Sequence, residues 1–225
     1  MRYYLFDFDG TICDSKEGIL NAAEYALKKM NIENKLTRSE MEPVFIGPPL
    51  TQSLPYYTGD DTETVAQAIK HFREYYNKYG TYENTIFGGV REMLDTLSKR
   101  GAHFYIASSK PTKFIKLILN KHGISAYFEK IFSPDLDEDH LTKYDIIMLA
   151  KNEINSSEPT PVICMVGDRK YDIDAAHKAG IPCIGVSWGS AANGELEDHH
   201  ADYIANSPNE ILNIDLQIMQ SQEHK

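Results

Sequence analysis

The stretch Tyr3–Ser15, YYLFDFDGTICDS, places two carboxylates at the end of an apolar segment. Apart from Asp7, the residues Tyr3–Phe8 are all apolar or aromatic, which is typical of a strand buried on both faces. Asp9 and Gly10 form a turn signal that can simply end the strand. Asp7 has no such explanation, because an isolated charge in a buried strand is costly unless hydrogen bonds, a cation or a metal compensate it. The pair of carboxylates therefore indicates a metal or catalytic site.

The whole chain has the composition of an ordinary globular protein. Its 225 residues, 42% hydrophobic and 25% charged, suffice for one substantial core with a smaller satellite domain. The net charge of -10 argues against a general nucleic-acid binder, because such proteins need a positive surface. No apolar run is long enough to cross a membrane, and no signal-like leader precedes the first strand. We therefore expect a cytoplasmic protein without nucleic-acid or membrane partners.

Strand and helix alternate from Ala102 to the end of the chain. The segments AHFYIAS, YFEKIFS, PVICMVGD and IPCIGVSWG have strand character, and amphipathic helical segments lie between them. This alternation predicts parallel strands joined by helical crossovers. The region from about Lys16 to Tyr79 has a helical pattern and shows no strand alternation. The sequence therefore predicts a doubly wound α/β fold whose core comprises residues 1–15 and 83–225, with a helical domain inserted at 16–82.

The inserted region contains one clear helix and one clear break. Asp61 or Thr62 can cap the start of the helix DTETVAQAIKHFREYYNKYG, and Gly80 follows its end. Its predicted apolar face consists of Val65, Ala68, Ile69, Phe72, Tyr76 and Tyr79. The segment EPVFIGPPLTQSL carries three prolines and a glycine, which predicts a turn or loop between helices.

Polar side chains follow three predicted strands at the ends where parallel sheets bind ligands. The strands run into DFDGT, ASSKP and VGDRKYD, respectively. The side chains expected to converge there are those of Asp7, Asp9, Ser108, Ser109, Lys110, Asp168 and Asp172. Several carboxylates this close repel one another strongly unless a divalent cation lies among them. Oxygen ligands without cysteine or histidine select Mg²⁺ over zinc.

A magnesium site opposite hydroxyl and ammonium groups indicates a phosphoryl substrate, because Mg²⁺ favours phosphate oxygens. Ser108 can donate to a phosphate oxygen, while a lysine offsets the charge of the attacking carboxylate and the phosphate. Asp7 is then a candidate nucleophile that forms an aspartyl phosphate. Asp9 is a candidate general acid for the leaving alcohol and general base for the water that follows.

This combination resembles the haloacid dehalogenase superfamily of phosphohydrolases, and within it the phosphoglycolate phosphatase-like branch. Four motifs occur in the family's order between Tyr3 and about Pro208: DFDGT, a serine after a hydrophobic strand, a lysine that opens a later helix, and GDRKYD. The resemblance implies a Rossmann-like core with a helical cap inserted after the first motif. It also implies a small phosphorylated metabolite as substrate, while the oligomeric state stays open between monomer and homodimer.

The resemblance assigns roles to the carboxylates one by one. Asp7 matches the nucleophile and a magnesium ligand. Asp9 matches the acid/base, and its backbone carbonyl matches a second ligand. Asp168 matches the metal ligand of the last motif, and Asp172 matches its partner, which reaches the ion directly or through water. Arg169 either holds this loop by an ion pair or is solvated.

The serine and lysine motifs are less uniquely matched than the carboxylates. Ser108 fits the family serine better than Ser109 because Lys110 and a proline follow it. Lys143, which opens the helix TKYDII, fits the family lysine best, while Lys110 and Lys130 are rivals. The candidate substrate-binding residues are Gly10, Gly47, Ser108, Ser109, Lys110 and Lys143. Gly47 belongs to the cap loop FIGPPL, where glycine allows close backbone approach and the prolines add stiffness.

The predicted activity is a magnesium-dependent phosphatase acting on a phosphoglycolate-like ester or a nucleoside monophosphate. A sugar-phosphate mutase of β-phosphoglucomutase type would use the same aspartyl phosphate, but members of that branch usually carry valine where this chain has Thr11. A non-catalytic phosphate sensor would have no need of Asp9 as acid/base. Dehalogenation requires no magnesium cluster, so the full acidic set disfavours it.

Overall fold

The computed structural model describes residues 1–136 and 141–223. Its strands are β1 Arg2–Phe6, β2 Cys13–Asp14, β3 Thr85–Ile86, β4 Ala102–Ala107, β5 Phe128–Phe132, β6 Val162–Gly167, β7 Cys183–Val186 and β8 Tyr203–Ala205. Its helices are α1 Lys16–Lys29, α2 Arg38–Phe45, α3 Leu50–Ser53, α4 Pro55–Thr58, α5 Thr62–Lys78, α6 Val90–Lys99, α7 Thr112–Lys121, α8 Lys143–Ser157, α9 Lys170–Lys178, α10 Glu195–Asp198 and α11 Pro208–Glu223.

Six strands form one parallel sheet in the order β5-β4-β1-β6-β7-β8. Strand β1 lies in the middle and pairs with β4 on one side and β6 on the other. The chain is therefore wound in opposite directions from β1, which creates a switch point at the carboxyl end of that strand. The predicted doubly wound α/β sheet is confirmed.

Strand β1 is buried because helices cover both faces of the sheet. Tyr4 and Phe6 belong to a core cluster completed by α6, α7 and α11. Tyr3 and Leu5 point to the opposite face and belong to a second cluster, formed with α8 and α9. Successive residues of a strand face opposite sides, so each residue from Tyr3 to Phe6 meets an apolar layer. This double burial explains why the strand shows no polar alternation.

The predicted helical insertion is also confirmed, and it consists of α1–α5. Helix α5 is capped by Asp61, whose side chain accepts from the N–H of Thr64 at 2.9 Å. Five of the six residues predicted for its apolar face are buried, but Tyr79 is 47% exposed because the helix ends just before it. The domain boundaries at 15/16 and 82/83 remain predictions. None of the described helices has the length and apolar character needed to span a bilayer.

The predicted loop over residues 42–54 is largely wrong. Helix α2 continues through Pro43, and α3 begins again at Leu50, so only residues 46–49 separate the two helices. A capping box between Thr37 and Glu40 fixes the start of α2. The φ angle of proline suits a helix, and the carbonyl that Pro43 leaves without a donor belongs to exposed Ser39, which water can reach.

A small antiparallel pair of strands, which the sequence did not predict, joins the two ends of the insertion. Cys13 of β2 is opposite Ile86 of β3, and Asp14 is opposite Thr85. Two residues per strand are too few for an alternating pattern to be recognised. The pair holds together the points where the chain leaves the core and returns to it.

A buried ionic network fixes the last helix against the opposite end of the sheet. Asp215 of α11 is fully buried and accepts from Tyr4 Oη at 2.8 Å. Arg2 Nε lies 2.9 Å from one of its oxygens, and Arg100 Nη1 lies 3.2 Å from the other. Burial of the tyrosine beside this carboxylate raises the pKa of Tyr4 well above its usual range.

We predict that Asp215→Asn lowers the free energy of unfolding by about 3 kcal/mol, because it removes the charge that compensates two arginines at a buried site. Urea denaturation followed by the fluorescence of Trp188 measures the change. The matched control is Glu33→Gln, an exposed position, which should leave the denaturation midpoint unchanged. A wild-type midpoint for Asp215→Asn would contradict the prediction.

Candidate active site

Three buried carboxylates meet at the carboxyl end of the central strands. Asp7 directly follows β1, Asp168 directly follows β6, and Asp172 lies in the first turn of α9. One oxygen atom from each lies within 4.8 Å of those from the other two. The sheet thus brings together residues from distant parts of the chain, as the strand-end prediction requires.

Lys143 lies between two of these carboxylates. Its Nζ is 2.9 Å from Asp7 Oδ1 and 2.9 Å from Asp172 Oδ1, and it donates to the carbonyl of Ala107 at 3.2 Å. A capping box between Thr142 and Asp145 starts α8 and places Lys143 at its first position. Burial lowers the pKa of Lys143, but the attraction of Asp172 and Asp7 outweighs it and raises the pKa above its usual range. The ammonium group therefore stays charged.

Asp168 is compensated less completely than its neighbours. It accepts from the backbone N–H of Ser190 at 2.7 Å and from Thr11 Oγ1 at 3.5 Å. Burial, followed by repulsion from Asp172 and Asp7, raises the pKa of Asp168 well above its usual range. Burial also raises the pKa of Asp172, with Lys143 opposing the shift.

The donor set of this cluster fits a divalent cation. In the described part of the chain, one lysine forms ion pairs with two of the three carboxylates, Asp7 and Asp172, which leaves an excess of negative charge. A divalent cation would offset that excess of negative charge. Gly10, predicted to bind substrate, lies against this cluster, with a φ of +81°. A Cβ atom at Gly10 would lie 2.1 Å from Asp168 Oδ2, so only glycine fits.

The carboxylate of Asp9 lies outside the cluster and forms an ion pair with Lys110. Lys110 Nζ donates to both Asp9 oxygens at 2.9 Å, and Ser15 Oγ donates to Asp9 Oδ1. Lys110 Nζ also donates to Tyr76 Oη of α5 at 2.6 Å. Burial lowers the pKa of Lys110, but the nearby Asp9 and Tyr76 raise it above its usual range. Burial raises the pKa of Tyr76 to about 12, so its hydroxyl stays protonated.

A cavity opens between the core and the helical insertion beside Asp7 and Asp9. The core contributes Ser108, Ser109 and Lys110 to its wall. The insertion and α7 contribute the remaining lining, which is mainly apolar and aromatic: Ile19, Phe45, Gly47, Pro48, Pro49, Leu50, Phe72, Arg73, Tyr76, Pro111 and Phe114. The predicted loop FIGPPL therefore does reach the same space as the carboxylates.

The three candidate lysines lie in different environments. Lys143 contacts Asp7, and Lys110 contacts Asp9, so both are at the site. Lys130 is 46% exposed and forms an ion pair with Glu153 on the surface. Of the two alternatives for Arg169, the solvated one is wrong, because Arg169 is 4% exposed and its Nε lies 2.9 Å from Glu195 Oε1. The catalytic and binding roles of the site residues remain predictions.

Sequence reasoning missed the segment that follows β7. Besides the N–H of Ser190, it supplies Trp188, whose Nε1 donates to the carbonyl of Thr11 at 3.1 Å. It also missed Tyr76, which was assigned only to an apolar helix face. The signal in the sequence was the segment Trp188–Ser190 shortly after the strand β7. No local pattern, however, shows which other loop these residues contact.

Comparison with known proteins places this geometry in a family. A sequence model of haloacid dehalogenase-like hydrolases matches residues 4–186. The chain is 36% identical over 203 residues to a 5'-nucleotidase from Pseudomonas aeruginosa, covering 88% of this chain and 89% of that protein. It is 27% identical over 222 residues to a phosphoglycolate phosphatase from Vibrio parahaemolyticus, covering 95% and 96% of the two chains.

A solved structure agrees with these matches. The crystal structure of a protein described as a predicted phosphatase from Clostridium acetobutylicum is similar to this chain with a TM-score of 0.87 and 38% identity. The similarity covers 96% of this chain and 98% of that one. The fold, the acidic cluster and the match over residues 4–186 thus agree, and the chain belongs to the haloacid dehalogenase-like hydrolase family.

Proposed function

We propose that the protein is a magnesium-dependent phosphatase that hydrolyses a small phosphate monoester through an aspartyl phosphate at Asp7. The observation that carries the proposal is the buried cluster of Asp7, Asp168 and Asp172 with Lys143 inside it, next to a cavity that contains Ser108 and Lys110. The relatives named as a 5'-nucleotidase and a phosphoglycolate phosphatase support the same class of reaction.

In the first step, a carboxylate oxygen of Asp7 attacks phosphorus and the bond from phosphorus to the ester oxygen breaks. Asp9 must carry a proton in this step, so its ion pair with Lys110 loosens when the ester binds; it donates that proton to the leaving oxygen, which departs as an alcohol. In the second step, a water molecule attacks phosphorus, and Asp9 takes its proton. The bond between phosphorus and Asp7 breaks, which releases phosphate and restores both carboxyl groups.

The remaining residues bind and compensate charge. Ser108, buried at the end of β4, donates to a phosphoryl oxygen. Lys143 offsets the charge that the nucleophile and the phosphoryl group bring together. Lys110 lines the cavity and holds Asp9, so it shares its charge between Asp9 and the substrate.

Asp7, Asp168, Asp172 and the backbone carbonyl of Asp9 would hold the metal. When bound, Mg²⁺ polarises the phosphoryl oxygens and offsets the negative charge of the carboxylates. The all-oxygen donor set favours Mg²⁺ over zinc.

The cavity lining favours a nucleoside monophosphate over phosphoglycolate as the substrate. Phe45, Phe72 and Phe114 give the cavity aromatic surface on which a nucleobase can stack. The closer identity to the relative named 5'-nucleotidase points the same way. Phosphoglycolate remains the second candidate, since Arg73 and Lys110 in the lining could meet its carboxylate.

Phosphate release should require both the nucleophile and a divalent cation. We expect the wild-type protein with Mg²⁺ to release phosphate from nucleoside monophosphates or phosphoglycolate in a colorimetric assay. EDTA and Asp7→Asn should each reduce release to background, because one removes the charge compensation and the other the nucleophile. Isomerised sugar phosphate without phosphate release would indicate a mutase, and binding without turnover of any ester would indicate a sensor.

The three lysines should differ in effect. We predict that Lys143→Ala lowers kcat by about 100-fold or more, because an ion-paired charge beside the nucleophile is lost. Lys130→Ala is the matched control on the surface and should have wild-type kinetics. Steady-state kinetics on the best ester measures all three variants. The assignment is wrong if Lys143→Ala is near wild type while Lys110→Ala abolishes turnover.

Substitution of Asp9 should reduce the turnover rate much more than the affinity for Mg²⁺. We predict that Asp9→Asn lowers kcat by about 10² to 10⁴-fold, the usual contribution of a general acid and base. Its backbone carbonyl is unchanged and its carboxylate lies outside the cluster, so isothermal titration should give a Mg²⁺ affinity close to wild type. A normal rate would refute the acid/base role.

A further inference from the structure

A buried arginine bridges the core to the cap loop that lines the cavity. Arg169 follows Asp168 directly and is 4% exposed. Its Nη1 donates to the backbone carbonyl of Ile46, at the end of α2. The following residues, 47–50, line the same cavity as Asp7 and Asp9. One guanidinium therefore connects the loop of the proposed metal ligand with the loop that forms the substrate wall.

The guanidinium is held firmly from the core side. Its Nε lies 2.9 Å from Glu195 Oε1, an oxygen that also accepts from the backbone N–H of Lys170 at 2.9 Å. The other oxygen of Glu195 accepts from the N–H of Ala192 at 3.2 Å. A carboxylate with three donors has little freedom, so it fixes the direction in which Arg169 points.

The cap loop is shaped to receive this side chain. Gly47 has a φ of +106°, and a Cβ atom there would lie 3.2 Å from Arg169 Nη1 and 3.3 Å from Arg169 Cγ. Glycine therefore provides both the backbone conformation and the space for the arginine. The two prolines that follow stiffen the loop, so its anchoring at Ile46 is transmitted to the cavity wall.

We propose that Arg169 is a positioning residue that sets the place of residues 46–49 over the substrate cavity and thereby contributes to selection of the leaving group. The role in selecting the leaving group rests on the proposed phosphatase function. The contact of Arg169 with the carbonyl of Ile46 does not depend on that function. An ester whose leaving group reaches the loop needs Arg169, whereas a very small substrate does not.

The test compares Arg169→Lys and Arg169→Met with Arg91→Met. Arg91 is exposed and donates to the backbone carbonyls of His122 and Gly123, so it is an arginine of the same bonding type away from the cavity. Arg169→Lys keeps a charge beside Glu195 in case the methionine variant does not fold. Lysine lacks the planar fork that serves Glu195 and Ile46 together, so it should be defective as well.

Two kinetic readouts and one metal readout separate positioning from simple damage. For AMP, kcat/KM should fall by about 10-fold or more in the Arg169 variants, mainly through KM, because the wall is misplaced. For acetyl phosphate, kcat/KM should stay close to wild type. The Mg²⁺ dissociation constant from isothermal titration should also be unchanged. Equal losses on both substrates with weakened Mg²⁺ binding would overturn the inference, since Arg169 would then only support Asp168.

Hydrogen exchange tests the loop contact without any turnover. Mass spectrometry should show faster exchange over residues 44–54 in the Arg169 variants and wild-type exchange in Arg91→Met. Unchanged exchange in the Arg169 variants would overturn the inference even if the enzyme is active. Inactivity of the wild-type protein on every ester would refute the proposed function, while the exchange result would still decide whether Arg169 positions the loop.

Discussion

Repulsion among three buried carboxylates is the constraint on which the site depends. Asp7, Asp168 and Asp172 share a small volume from which water is largely excluded, and burial with mutual repulsion raises the pKa of the last two. Carboxyl groups bind a metal in their charged form, and these charges repel one another at such short range. Lys143 supplies one compensating charge, and a divalent cation would supply the rest. The reaction and the cofactor that we propose therefore follow from the same electrostatic requirement.

The fold meets this requirement by placing the residues that follow neighbouring strands at one edge of the sheet. Strands β1 and β6 are neighbours, so the residues that follow them meet without any long loop. The first turns of α8 and α9 then add Lys143 and Asp172, each held by local capping bonds. Backbone groups complete the arrangement, because the N–H of Ser190 binds Asp168 and the carbonyl of Thr11 receives Trp188.

The parts that the sequence could predict are those encoded locally. The apolar run before Asp7, the alternation after Ala102 and the motif order were sufficient for the fold, the family and the carboxylate cluster. The strand ends also predict that Lys110 lies near Asp9, but they do not show that Lys110 donates to Tyr76 as well, because Tyr76 comes from the inserted helices. The sequence does not predict the helical stretch through Pro43, because proline is typical of a helix break, although its φ suits a helix that is already capped.

The insertion touches the core at charged groups on both sides of the cavity. Tyr76 accepts from Lys110, which holds Asp9, and the carbonyl of Ile46 accepts from Arg169, which follows Asp168. A movement of the insertion away from the core would break these bonds and leave buried charges with fewer partners, which is costly. The position of the cavity wall is therefore tied energetically to the residues for which we propose catalytic and metal-binding roles. Since the proposed reacting groups lie in the core and most of the wall lies in the insertion, changes in the wall could alter the accepted ester without altering the proposed reaction. This separation of the wall from the core agrees with the finding that similar proteins are named for different substrates.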